Sequence, residues 1–191
     1  MTAMFQRSPI LQKSADELSD HERRYQAAER AFNEKFVTGL AVFKELALLG
    51  MPLAIYRLGK CIYYGHGTTA NIPVAIQLFR RASALGIVRA NLMLSLAYKA
   101  TDPQASFTYC RKAADGGDAD SQFRLAVFIR DGFVTDPDIS LALKWFRQAK
   151  ANGHPNCTMP IAILEKKLAN TPCKPRKKRQ PSPSGEMLTA E

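Results

Sequence analysis

Four glycines, Gly50, Gly86, Gly117 and Gly153, each close a short phrase of similar character, and they stand 36, 31 and 36 residues apart. The phrases are Ala47-Leu48-Leu49-Gly50, Ser83-Ala84-Leu85-Gly86, Ala114-Asp115-Gly116-Gly117 and Lys150-Ala151-Asn152-Gly153. Self-similarity at such a period marks a repeat architecture, and it constrains the fold more than composition does. Counting back from each glycine, offset −11 holds Gly39, Ala75, Ser106 and Ala142, and offset −8 holds Val42, Leu78, Tyr109 and Trp145. Offset −7 holds Phe43, Phe79, Cys110 and Phe146, and offset −4 holds Leu46, Ala82, Ala113 and Ala149. These offsets define one apolar stripe of an α-helix, small residues alternating with larger ones. The glycine then supplies the left-handed residue that ends the helix.

Counting forward gives a second helix with its own phase. Offset +4 holds Ala54, Ala90, Ser121 and Cys157; offset +8 holds Leu58, Leu94, Leu125 and Ile161; offset +9 holds Gly59, Ser95, Ala126 and Ala162. The pattern predicts antiparallel helix pairs over 52–64 with 73–85, 88–99 with 103–115, and 119–131 with 137–151. A preceding pair over 15–36 and 38–49 and a last helix over 156–169 close the ends. One hairpin cannot bury its apolar faces alone, so neighbouring hairpins must stack and share a core. The expected organisation is a flexible segment 1–14, a helical repeat domain 15–169 with repeats at 51–86, 87–117 and 118–153, and a disordered basic, Pro/Ser-rich tail 170–191.

The run Ala54-Ile-Tyr-Arg-Leu58-Gly59-Lys-Cys-Ile62-Tyr63-Tyr64-Gly65-His66-Gly67, continuing through Ala75, Leu78, Phe79 and Ala82 to Gly86, resembles the Sel1-like repeat, a relative of the tetratricopeptide repeat. Gln122 to Gly153, with Ala142-Leu143-Lys144-Trp145-Phe146-Arg147-Gln148-Ala149, is similar to it as well. The resemblance covers roughly residues 37–168. It implies an all-α fold, a right-handed α-solenoid of stacked antiparallel helix hairpins, and a role in holding protein partners. The middle repeat departs from the pattern: it lacks the Gly-x-Gly loop and passes from Tyr98-Lys99-Ala100 to Asp102-Pro103. Cys61, Cys110 and Cys157 fall at three different repeat phases, unlike the paired cysteines of the secreted, disulfide-stapled branch of that family.

Other chemistry finds little footing. The chain is 46% hydrophobic and 23% charged, as in soluble globular proteins. It has no run of 18 apolar residues, and no apolar region with a cleavage site follows Arg7 and Lys13, so a cytoplasmic location is expected. Cys61, Cys110, Cys157 and Cys173 stand singly, and three of them are expected to be small packing residues within helices. No Cys/His cluster suggests a metal, so neither metal nor cofactor is expected. His21, His66 and His154 lie in separate segments; His66 and His154 are read as turn residues. Gly65-x-Gly67 is too short for a phosphate loop. No catalytic grouping is recognisable, and the chain is not expected to be an enzyme.

The net charge is +10, of which the stretch 170–191, with Lys174, Arg176, Lys177, Lys178 and Arg179 against Glu186 and Glu191, supplies +3. A basic body and tail attract nucleic acid, anionic lipid or acidic protein surfaces, or simply solubilise the chain. No aromatic residue interleaves with the tail charges, so base stacking gains no support there. If the first helix of each repeat lines the inner surface, offsets +3, +6, +10 and +13 face a groove. They select Leu53, Tyr56, Lys60 and Tyr63; Arg89, Leu92, Leu96 and Lys99; Asp120, Phe123, Val127 and Arg130; and Met159, Ile163 and Lys166. The candidate contact set is Tyr56, Lys60, Tyr63, Leu92, Lys99, Phe123, Val127, Arg130 and Lys166. An apolar band with aromatic members, edged by positive charge, suits a partner helix or extended segment that is apolar or acidic. Two alternatives stand beside it: these side chains finish the core of a short solenoid, or Met4, Phe5, Ile10 and Leu11 fold back to cover them. The leading expectation is a non-catalytic protein-binding adaptor; the alternative is a nucleic-acid-associated helical repeat using the basic body and tail.

Overall fold

The structure, a computed structural model, describes residues 15–34 and 36–170. The expected N-terminal cover, the basic tail and Cys173 lie outside the described residues. Among those described there are α-helices and one 3-10 turn but no strand. The helices are α1 (Ala15–Glu34), α2 (Phe36–Leu48), α3 (Pro52–Tyr64), α4 (Ile72–Ala84), α5 (Val88–Tyr98), α6 (Pro103–Asp115), α7 (Ala119–Asp131), α8 (Ile139–Ala151) and α9 (Thr158–Ala169), with the 3-10 turn Pro155–Cys157 before α9.

Local chemistry sets these boundaries. All four repeat glycines are left-handed, with φ between 83° and 89°. At each, the N–H of the following residue returns to the carbonyl of the offset −4 residue: Met51 to Leu46, Ile87 to Ala82, Asp118 to Ala113 and His154 to Ala149. That 6→1 bond satisfies a carbonyl the helix end would leave orphaned. No atom would lie within 4 Å of a Cβ added at any of the four, so backbone conformation rather than space demands glycine there. The second helices start at side-chain caps: Asn71 accepts from Val74 N–H, Asp102 from Ala105 N–H and Asp138 from Leu141 N–H. These caps explain small shifts from the sequence pattern, with α4 beginning at Ile72 rather than 73 and α8 at Ile139 rather than 137.

Each helix packs chiefly on its neighbours in the chain, the arrangement of a right-handed α-solenoid. The predicted stripe is the core. Offsets −11, −7 and −4 are buried in every repeat, whereas Val42, Leu78, Tyr109 and Trp145 at −8 are only half-buried. Ala54, Ala90, Ser121 and Cys157 at +4 are fully buried. At +9, Gly59, Ser95 and Ala126 are buried, and a Cβ on Gly59 would stand 2.7 Å from the Phe79 ring. Smallness is therefore required at Gly59 for space. Ala162, at the same offset in α9, is exposed together with Met159 and Ile163, because among the described residues no second helix packs on α9.

Candidate partner-binding face

The first helices α3, α5 and α7 open two adjoining clefts between them. The first, about 340 Å³, lies between α3 and the start of α5 and is lined by Leu53, Tyr56, Arg57, Lys60 and Arg89, with Tyr25 at its edge. The second, about 480 Å³, lies between α5 and α7, with Leu92, Lys99, Asp120, Phe123, Arg124 and Val127 in its wall and His154 closing one side. A third and larger furrow, about 720 Å³, runs beside the Gly50 and Gly86 turns; its wall includes Leu49, Met51 and Leu85, with Arg81 and Glu22 alongside.

Of the nine candidate contact residues, six line the first two clefts: Tyr56 and Lys60 the first, Leu92, Lys99, Phe123 and Val127 the second. The other three stand elsewhere. Tyr63 is half-buried against Phe79, with ring centroids 6.1 Å apart, and meets Tyr64 edge-on at 4.9 Å. Arg130 is engaged by its neighbour Asp131 through bonds of 2.6 and 2.9 Å, and Lys166 is exposed on α9.

Charge in the first cleft is unevenly satisfied. Arg57 pairs with Glu29 and donates to the Tyr25 hydroxyl at 3.3 Å. Burial first, and the Glu29 hydrogen bond second, push the Tyr25 phenol up to about 12. Lys60 lies over the Tyr56 ring, its Nζ 5.9 Å from the centroid, and has no ion-pair partner among the described residues. Burial, and then the nearby Arg57, hold its ammonium below the usual lysine range. Arg89 Nε lies 3.5 Å from Asp118 Oδ1, while Oδ2 of the same carboxylate caps α7 by accepting from the backbone N–H and the hydroxyl of Ser121.

In the second cleft Phe123 is braced from two sides, edge-on to Phe146 at 5.3 Å and stacked on His154 at 4.3 Å. His154 does more than turn the chain. Its Nδ1 accepts from the Asn156 N–H at 3.3 Å and lies 3.4 Å from Cys157 Sγ, while Nε2 is 3.7 Å from Asp120 Oδ1. A Cys-His-Asp trio invites comparison with a nucleophilic site. Here the sulfur is fully buried and its thiol is pushed up by that burial, so no substrate carbon can reach it. The imidazole instead caps the turn and supports Phe123. Lys99 and Arg124 make no ion pair among the described residues.

Tyr25, Arg57, Arg124 and His154 escape the offset rule that selects Leu53, Tyr56, Lys60, Arg89, Leu92, Lys99, Asp120, Phe123 and Val127. Arg57 and Arg124 both stand at +7, and a recurring arginine at one offset is the signal that points to them. No group of three or more His, Cys, Asp or Glu side chains able to hold a metal occurs among the described residues. Nor is any described helix long and apolar enough to cross a membrane.

The model of the Sel1 repeat matches residues 52–87, 93–118 and 119–154. A crystal structure of a Sel1 repeat protein from Oxalobacter formigenes superposes with a TM-score of 0.69 at 18% identity, covering 82% of this chain and 68% of that one. A second similar structure is that of c5321, a protective antigen present in uropathogenic Escherichia coli strains and displaying an SLR fold. It has a TM-score of 0.43 at 19% identity and covers 80% of this chain and 43% of that one. No curated protein sequence matches.

Proposed function

This chain belongs to the Sel1 repeat family, and we propose that it is a non-catalytic adaptor holding a segment of a protein partner across the face made by α3, α5 and α7. The observation that carries this reading is the pair of adjoining clefts on successive first helices, each with a half-buried aromatic ring and a cation lacking an ion pair among the described residues. Tyr56 and Phe123 each pack one part of the ring on the core phenylalanines Phe79 and Phe146 and keep the rest of it at the cleft wall. Half-buried rings fixed by packing and still lining a cleft are the usual anchors of protein interfaces. Shape and charge thus favour capture of a segment over catalysis, for which the buried Cys157 offers no accessible nucleophile.

Photo-reactive phenylalanine analogues placed at Tyr56 or Phe123, in the full chain in its native host, test the reading. Both positions should cross-link to the same protein, while the exposed positions Gln77 and Lys144 on second helices should not. Cross-linking only from Gln77 or Lys144, or from none of the four, overturns it.

A further inference from the structure

Resting on the reading that this face holds a partner segment, we propose that the occupant is an extended acidic peptide. It places a carboxylate side chain between Lys60 and Arg89, and an apolar side chain about three residues away between Leu92 and Phe123, given the 3.3 Å rise of an extended chain.

The first half of the proposal rests on charge. Arg57, Lys60 and Arg89 converge on one small cleft, and only Arg57 has a carboxylate to itself. Arg89 is 71% exposed on its side chain and makes one long contact, 3.5 Å, with Oδ1 of Asp118, whose other oxygen caps α7, so its guanidinium keeps donors open to the cleft. Lys60 is half-buried with an aromatic face beneath it and two arginines nearby. A cation so placed loses hydration and meets like charge, and both costs fall when an anion is seated beside it. A carboxylate entering here finds two donors on separate helices and the Tyr56 ring as a floor.

The second half rests on a wall that exists before binding. Phe123 is locked between Phe146 and His154, so little side-chain freedom remains to be lost when an apolar group packs on it. Leu92 and Val127 complete the apolar surface. Asp120 stands at this cleft beside Lys99 and Arg124 and offsets one of those charges, so the apolar wall of Leu92, Phe123 and Val127, which the first cleft lacks, is what distinguishes this end. The spacing follows from the helix between the clefts: Arg89 and Leu92 stand one turn apart on α5 and face different clefts, so the peptide crosses one helix, about 10 Å wide with its side chains, which an extended chain spans in about three residues.

The test is a nuclear magnetic resonance titration of the full chain, which reads weak binding residue by residue. The probes are synthetic Gly/Ser peptides carrying one Asp-Asp pair and one Leu, separated by zero, two or six residues. The two-residue spacer should bind most tightly, moving the signals of Lys60, Arg89, Leu92 and Phe123 together. Asn in place of both Asp should weaken it about three- to tenfold, the scale of one or two partly exposed ion pairs. The Lys60→Ala/Arg89→Ala variant should bind the Asp and Asn peptides alike. Phe123→Leu, which keeps the cleft filled, should retain the Asp preference and lose part of the Leu contribution. Three outcomes of the titration overturn the proposal: affinity independent of spacing and of Asp; equal shifts at Lys60 and Arg89 with inorganic phosphate alone; or tighter binding of a single-stranded oligonucleotide with a steep salt slope. If cross-links from Tyr56 and Phe123 capture a partner segment without acidic residues, this proposal fails while the adaptor reading stands. If there are no such cross-links, the adaptor reading fails first.

Discussion

In the flanking repeats offset −7 is occupied by Phe79 and Phe146, whereas in the middle repeat it is Cys110, equally buried and far smaller. The surrounding positions change with it. Ala75 and Ala142 at −11 give way to Ser106, and the +9 position is Ser95. Ser106 donates to the Ser95 carbonyl at 2.8 Å with the two hydroxyls 3.2 Å apart, and the Cys110 thiol points to the Ser121 carbonyl at 3.5 Å. At the half-buried −8 position the middle repeat carries Tyr109, which stacks on Tyr98 at 5.7 Å. The same helical register is thus filled by volume in two repeats and by small, hydrogen-bonded groups in a third. Polar groups are tolerated inside because each finds a partner.

The sharpest way to break this comparison is to remove volume. Phe79→Ala and Phe146→Ala should each cost about 3–5 kcal/mol in urea denaturation, the range for a large aromatic lost from a core. A loss below about 1 kcal/mol would mean that these rings do not hold their repeats, since even minor core trimming costs that much. Adding volume comes next. Gly59→Ala should cost about 1–3 kcal/mol by pressing on the Phe79 ring, and in the Gly59→Ala/Phe79→Leu double variant the two losses should not add, because the residues touch. Ser106→Ala should cost about 1 kcal/mol, one net hydrogen bond. A loss as large as that of Phe79→Ala would erase the distinction between the repeats.

The smallest effect is one of pH. Burial pushes the Cys110 thiol up to about 12 and the Cys61 thiol up to about 11, from an ordinary value of 9.0. The folded chain therefore keeps protons that the unfolded chain releases above pH 9, so stability falls as pH rises from 9 toward those values and is insensitive to the thiols below pH 9. Denaturation midpoints at pH 8, 9 and 10 should show the decline beginning above 9. Cys110→Ala should be flatter over that interval, and an unchanged slope would place the titration elsewhere.

The solenoid was legible because its signals are local. A glycine that ends a helix and a stripe of 3.6-residue period both act within one or two turns, so the offsets −11, −7, −4 and +4 could be read as core from their spacing. The face was partly legible for the same reason: offsets +6 and +10 pick out Tyr56, Lys60, Leu92, Phe123 and Val127. Offset +13 reads less well. Tyr63 packs on Phe79, and Arg130 folds onto Asp131, because a helix end offers nearer partners than a cleft does.

What the sequence by itself determined is the helical register: which residues end helices, which face inward, and where smallness is obligatory. What only the tertiary structure decided is which cations keep a partner and which rings are braced. Glu29 reaches Arg57 from α1, and His154 comes from beyond α8 to stack on Phe123 in α7. Offset +7 holds a core residue, Met93, in one repeat and the cleft arginines Arg57 and Arg124 in the others, since it lies at the edge of the stripe. The physical reason is that a helical period places a side chain on a face, while ion pairs and ring stacking depend on how one repeat packs on the next, about one repeat length along the chain and beyond the reach of a local pattern.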